Sequence, residues 1–156
     1  MAVTRAHPDA RIVAVTPDEL SVTRHLAAVE DRRCGAIATF VGRIRDHDPG
    51  VAGEVSGIEY SAHPDAETVL AGIVESLLGR DGDGWDGGAG GPVIVAVSHR
   101  TGSLSVGDVA LVACVATAHR ALAYEVSREL VERIKAELPV WKKQHAVDGT
   151  HHWVGL

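Results

Sequence analysis

Pro139 is the residue that most narrows what this chain can fold into. It lacks an amide proton and its ring clashes with the preceding turn, so no helix passes through it. Before it, Leu122, Val126, Leu130 and Ile134 recur every four positions and mark one buried helical stripe. Residues 118 to 138 are therefore predicted to form the longest helix, and Val140 to His145 a strand that leaves it. Lys135 falls in the last helical turn. At about 100° per residue it lies about 40° round from Val131, at the border of the stripe. Lys135 and Lys142 are thus tied to two rigid elements across a chain break, in a protein of net charge −6. A helix C-terminus favours lysines through its dipole alone, so the pair reads either as a decorated helix end or as a local anion site.

The rest of the chain supplies short strands and two more helices. Arg11 to Val15 reads as a first strand. Thr16 and Pro17 are a plausible N-cap and first helical residue, followed by acids in the first turn. That helix would turn Leu20, Leu26, Ala27 and Val29 inward and stop before Gly35. Ile37 to Ile44 is a second strand, Asp46 to Gly53 a turn-rich loop, and Val55 to Ala62 a third strand. Pro64 opens a helix through Leu78 with Val69, Ile73, Val74 and Leu77 at helical spacing. Gly79 to Gly91 is expected to be an exposed, flexible Gly/Asp-rich connector. Its Asp81-x-Asp83 start resembles a calcium loop, but Trp85 and Pro92 occupy positions that need other residues. Val93 to Val97 and Val109 to Thr117 are strands joined by a tight connection from His99 to Asp108, which His99 and Arg100 would shape. His152 to Val154 closes the chain as a short strand. Hairpin-like pairs with helices between them predict a single α+β domain over 1–156, with helices packed on a mainly antiparallel sheet.

Composition removes several classes of function. No apolar run approaches the roughly 20 residues that cross a bilayer, and the N-terminus has no apolar signal core, so a cytoplasmic protein is expected. An acidic balance with 4% aromatic residues argues against a nucleic-acid surface. Cys34 and Cys114 lie in or beside apolar strands and read as free buried thiols. His145, His151 and His152 lack the spacing of a zinc site, and no metal is expected. There is no P-loop and no GxGxxG after a strand.

What remains is a basic set: Arg43, Arg45, His119, Arg120, Lys135, Lys142 and Lys143. Arginine offers bidentate contacts to phosphate or carboxylate. Lysine offers a compact charge whose pKa falls on burial. His119 and Arg120 open the long helix, where backbone amides also favour anions.

Four segments carry a resemblance, in order and at matching intervals. They are Gly35-Ala-Ile-Ala-Thr-Phe-Val-Gly-Arg43-Ile-Arg45-Asp-His-Asp48, Ser98-His-Arg-Thr-Gly-Ser-Leu-Ser-Val-Gly-Asp108, Ala118-His-Arg-Ala-Leu-Ala-Tyr-Glu125, and Lys135-Ala-Glu-Leu-Pro-Val-Trp-Lys-Lys143. Together, from about Gly35 to Val154, they resemble the MoaE-type large subunit of molybdopterin synthases. The resemblance implies a hammerhead-like α/β fold. It implies conversion of a cyclic pyranopterin monophosphate to molybdopterin by two sulfur transfers. The donor would be the C-terminal Gly-Gly thiocarboxylate of a small ubiquitin-like subunit, and the large subunit would form the homodimer inside a heterotetramer. No cofactor is implied. By position, Lys135 and Lys142 match the catalytic lysines. Arg43, Ile44, Arg45, His119, Arg120, Lys143 and Gln144 match substrate-binding positions. Two positions depart from the family's habit. Asp65 follows the Tyr60-to-Pro64 turn where methionine is frequent, and Gln144 stands where glutamate is common, removing a negative charge beside the lysines. A non-catalytic dimeric module that docks the ubiquitin-like partner is the alternative, which would not need both lysines.

Overall fold

The computed structural model describes residues 7–48, 53–79, 85 and 91–155. Central strands β4 (Val93–Arg100) and β6 (Val109–Thr117) form its middle, and their apolar runs are continuous because both faces are covered. Odd residues of β4 (Val93, Val95, Val97) enter one core cluster, and even ones (Ile94, Ala96) enter a second. This first sheet is completed by β1 (Ala10–Thr16) and β2 (Ala36–Arg43), in the order β1-β4-β6-β2. β1 runs parallel to β4 and the other pairs are antiparallel.

Where one sheet was expected, there are two. β3 (Val55–Ala62), β7 (Val140–Ala146) and β8 (His151–Gly155) join a strand within the His99-to-Asp108 connection, β5 (Gly102–Ser105). Their order is β5-β3-β7-β8, all antiparallel. The chain steps from β4 to β5 through Gly102 (φ 90°) and turns back to β6 through Gly107 (φ 91°), a left-handed backbone that costs glycine nothing.

Helices fill the space between and outside the sheets. α2 (Ala66–Leu78) and α3 (Arg120–Glu137) bury Leu70, Ile73, Val74, Leu77, Val126, Leu130 and Ile134 in the larger cluster. Leu122 is only partly buried, and Ala123 takes its place on the stripe. Trp85 lies inside the connector read as exposed, yet it is 3% exposed and joins the same cluster. The hydrophobic area of an indole outweighs its polar surroundings in sequence. The calcium-like loop starting at Asp81 otherwise falls almost wholly outside the described residues.

α1 (Val22–Ala28) begins later than Pro17. The Thr16 hydroxyl accepts from the Asp18 amide (3.1 Å) and holds a turn, so Ser21 becomes the N-cap, accepting from the Arg24 amide. Ala27 then faces solvent, while Leu20 and Val29 are buried as expected. The helix also buries His25, whose Nδ1–H donates to the Ser21 carbonyl (2.6 Å) and whose Nε2 accepts from the Ser98 hydroxyl (2.7 Å). Ser98→Ala leaves that buried nitrogen without a donor. The expected loss is about 1–3 kcal/mol, read as a lower urea midpoint with an unchanged slope. No helix among the described residues is long and apolar enough to cross a membrane.

Candidate active site

α3 ends as Pro139 requires. Leu138 is its extended C-cap (ψ 122°), and β7 starts at Val140. This break aims Lys135, at the end of α3, and Lys142, on β7, toward one recess of about 140 Å³ where the two sheets part. Arg43, Ile44 and Arg45 reach it from the end of β2, Ile58 and Tyr60 from β3, and Asp48 from the loop after β2. Ile44 is a wall: its side chain is buried, and its backbone is latched to the β5–β6 turn by Ile44 N to Asp108 O (2.9 Å) and Gly107 N to Ile44 O (2.7 Å). Arg43 donates from Nε to the Gly107 carbonyl at 3.0 Å. Arg45 is exposed at the rim and makes no ion pair among the described residues.

The two lysines differ in environment. Lys142 Nζ stands 3.5 Å from Asp48 Oδ2, which also accepts from Gln144 Nε2 at 2.8 Å. Asp48 thereby returns a negative charge beside the lysines, although position 144 carries none. Lys135 makes no ion pair among the described residues. The residue as a whole is exposed, but its ammonium is partly enclosed by protein: burial lowers its pKa, and the charge of Lys142 lowers it further. A lysine depressed in this way can exchange a proton nearer neutral pH.

Below the recess, His99 is fully buried and donates from Nδ1 to the Arg100 carbonyl (2.8 Å). Burial pushes its pKa down to about 4; the Arg100 bond opposes this, and the Lys135 charge adds to it. The unfolded imidazole titrates near ~6.5, so between those values the unfolded chain binds the extra proton. Stability is then complete above about pH 6.5 and falls as pH drops toward 4. Unfolding midpoints across that range should decline in the wild type and flatten in His99→Gln.

Three expected site residues are not brought to this recess within one chain. His119, the N-cap of α3, and Arg120 are both exposed at the far end of the helix. Fifteen residues separate Arg120 from Lys135, about 22 Å along the axis. Lys143 leaves the opposite face of β7, where its Nζ lies 5.3 Å from the Trp153 ring centre. The period of two along a strand separates it from Lys142 and Gln144. Asp65 sits at the N-cap of α2 and does not line the recess. Conversely, Asp48 and Tyr60 line the recess without a signal in the sequence. Asp48 is one of several turn formers in its loop, and Tyr60 alternates with Ile58 as a core residue would.

Other features carry less chemistry. A larger recess of about 330 Å³ lies between β1 and α2. Its carboxylates bind the backbone of β1 and of the segment before it: Glu67 accepts from Val15 N (3.0 Å) and Glu75 from His7 N (2.8 Å). Both cysteines are free, Cys114 buried and Cys34 partly so, and burial raises both thiol pKa values. Among the described residues no three His, Cys, Asp or Glu side chains group as metal ligands.

Two sheets meeting at a recess with paired lysines, arginines at its rim and one carboxylate define an α+β protein with a small basic pocket. The chain belongs to the MoaE family: the model described as "MoaE protein" matches residues 15–137. It is 39% identical over 150 residues to molybdopterin synthase catalytic subunit 1 of Mycobacterium tuberculosis, covering 96% of this chain and 92% of that one. It is 37% identical over 143 residues to the molybdopterin synthase catalytic subunit of Halalkalibacterium halodurans, covering 91% and 84%. The crystal structure of molybdopterin synthase from Staphylococcus aureus superposes with a TM-score of 0.77 at 28% identity, over 91% of this chain and 96% of that one.

Proposed function

We propose that this chain is the catalytic subunit of a molybdopterin synthase and acts as a sulfurtransferase. Its substrate is the cyclic pyranopterin monophosphate, and sulfur arrives as the C-terminal Gly-Gly thiocarboxylate of a small ubiquitin-like partner. The observation that carries this reading is the convergence of Lys135 and Lys142 on one recess in a MoaE-family fold. The family relatives named catalytic subunits support it.

The pocket's chemistry fits the reaction. When the thiocarboxylate sulfur attacks a pterin side-chain carbon, a C–S bond forms, the C–O bond at that carbon breaks and a proton must reach the departing oxygen; water then cleaves the acyl–sulfur bond, which leaves the sulfur on the pterin and frees the carrier's carboxylate. Lys135, with its lowered pKa, is suited to that transfer. Lys142, oriented by Asp48, holds substrate and the incoming tail. Arg43 and Arg45 take the phosphate. His119 and Arg120 can reach substrate only from the other copy of the homodimer that the resemblance implies. The cytoplasm is the expected compartment.

Reconstituted turnover tests this reading. The protein is mixed with thiocarboxylated carrier and the cyclic pterin, and dithiolene product is measured. Wild type should form product, and Lys142→Ala should be slower by about 10- to 100-fold. Tight carrier binding without any product would instead favour the docking module.

A further inference from the structure

Tyr60 is a buried polar residue of the recess that the roles above leave unused. It pairs with Lys142 across β3 and β7, so both side chains leave the same face of the sheet. The residue is 7% exposed and lines the recess, yet its hydroxyl makes no hydrogen bond among the described residues. Its ring stands edge-on to His99, with centroids 5.0 Å apart and planes at 80°. His99 is itself buried and anchored to the Arg100 carbonyl, which leaves the tyrosine ring little room to turn. The phenol is therefore aimed before any ligand arrives.

A buried tyrosine ordinarily finds a partner for its hydroxyl. Lysine and arginine only donate, so the surrounding cations cannot satisfy a donor. The one carboxylate that lines the recess among the described residues, Asp48, is engaged by Gln144 and Lys142, and the Gln144 Oε1 acceptor, buried without a partner, makes no hydrogen bond to the phenol. The complementary occupant is an anion with oxygen acceptors to spare.

We propose that the Tyr60 hydroxyl contacts substrate directly, donating a hydrogen bond to an anionic oxygen held in the recess by the lysines. This rests on the reading of the recess as the substrate site. Burial raises the phenol's pKa, so it keeps its proton and remains a donor at neutral pH. Two sources offer that oxygen: a phosphate monoester and the carboxylate of a chain terminus.

Tyr60→Phe keeps the ring and its packing while deleting the donor. The full-length protein is titrated with inorganic phosphate and, separately, with a peptide ending in a Gly-Gly carboxylate, each followed by amide NMR shifts. Wild type should bind, and Tyr60→Phe should bind one of the two anions about 10- to 100-fold more weakly; which one identifies the source. Unchanged affinity for both anions overturns the proposal, as does a wild type that binds neither. Wild-type turnover is measured in parallel. Anion binding that depends on Tyr60 without any turnover would sink the synthase reading and leave the donor standing.

Discussion

Lys135→Ala is expected to lower turnover by about 100- to 1,000-fold, the usual cost of losing one preorganised acid/base or electrostatic group. The fold should survive, because the residue is exposed and forms no ion pair among the described residues; thermal melting and carrier binding should stay near wild type. Lys135→Arg separates the two roles. Arginine keeps the charge but cannot give up its proton at working pH. Restored activity would mean that Lys135 stabilises charge, and continued loss would mean that it moves a proton. The pH profile gives an independent answer. Activity that requires the protonated ammonium falls as pH rises through a midpoint below that of an ordinary lysine, since burial and Lys142 both lower it. Loss of less than about threefold in Lys135→Ala would remove this residue from the chemistry.

Leu130→Ala should produce the largest loss of stability, about 2–5 kcal/mol. Leu130 is fully buried at the middle of the α3 stripe, between Val126 and Ile134, and all three belong to the larger core cluster. Truncation leaves a cavity that close-packed neighbours refill only in part. A domain of this size has about 5–15 kcal/mol in total, so a large share of the margin is lost. Urea unfolding measures it directly. The same helix carries Lys135, so loosening the stripe should also reduce turnover in the fraction that stays folded. Leu130→Met, which keeps volume, should cost less than about 1.5 kcal/mol.

Much of the fold is legible locally. The stripe Val126, Leu130, Ile134, the stop at Pro139 and the apolar runs of β4 and β6 each express a short-range rule, and the elements stand where those rules put them. Local rules fail where two signals compete. Thr16-Pro17 and Ser21 are both good helix starts, and the turn bond to Asp18 decides for Ser21. β5 is four residues of Gly, Ser and Leu with little strand character; it exists because β3 offers it partners, from Gly57 opposite Ser105 to Tyr60 opposite Gly102. The division into two sheets is invisible in sequence for the same reason. Periodicity says that a residue is in a strand, not which strand it meets. Trp85 illustrates burial won by side-chain area against a glycine-rich background.

Pro139 and the helical stripe suffice to put Lys135 and Lys142 on separate rigid elements across a break, and the four segments carry the family resemblance without the fold. Helix period and the proline ring act within a few residues, so they are readable without the fold. Only the tertiary structure brought the arginines of β2, Tyr60 of β3 and the carboxylate of Asp48 to those lysines. It also turned Lys143 outward and held His119 and Arg120 a helix length away. Burial and charge act through space between segments distant in the chain, and no local pattern encodes which of them will meet.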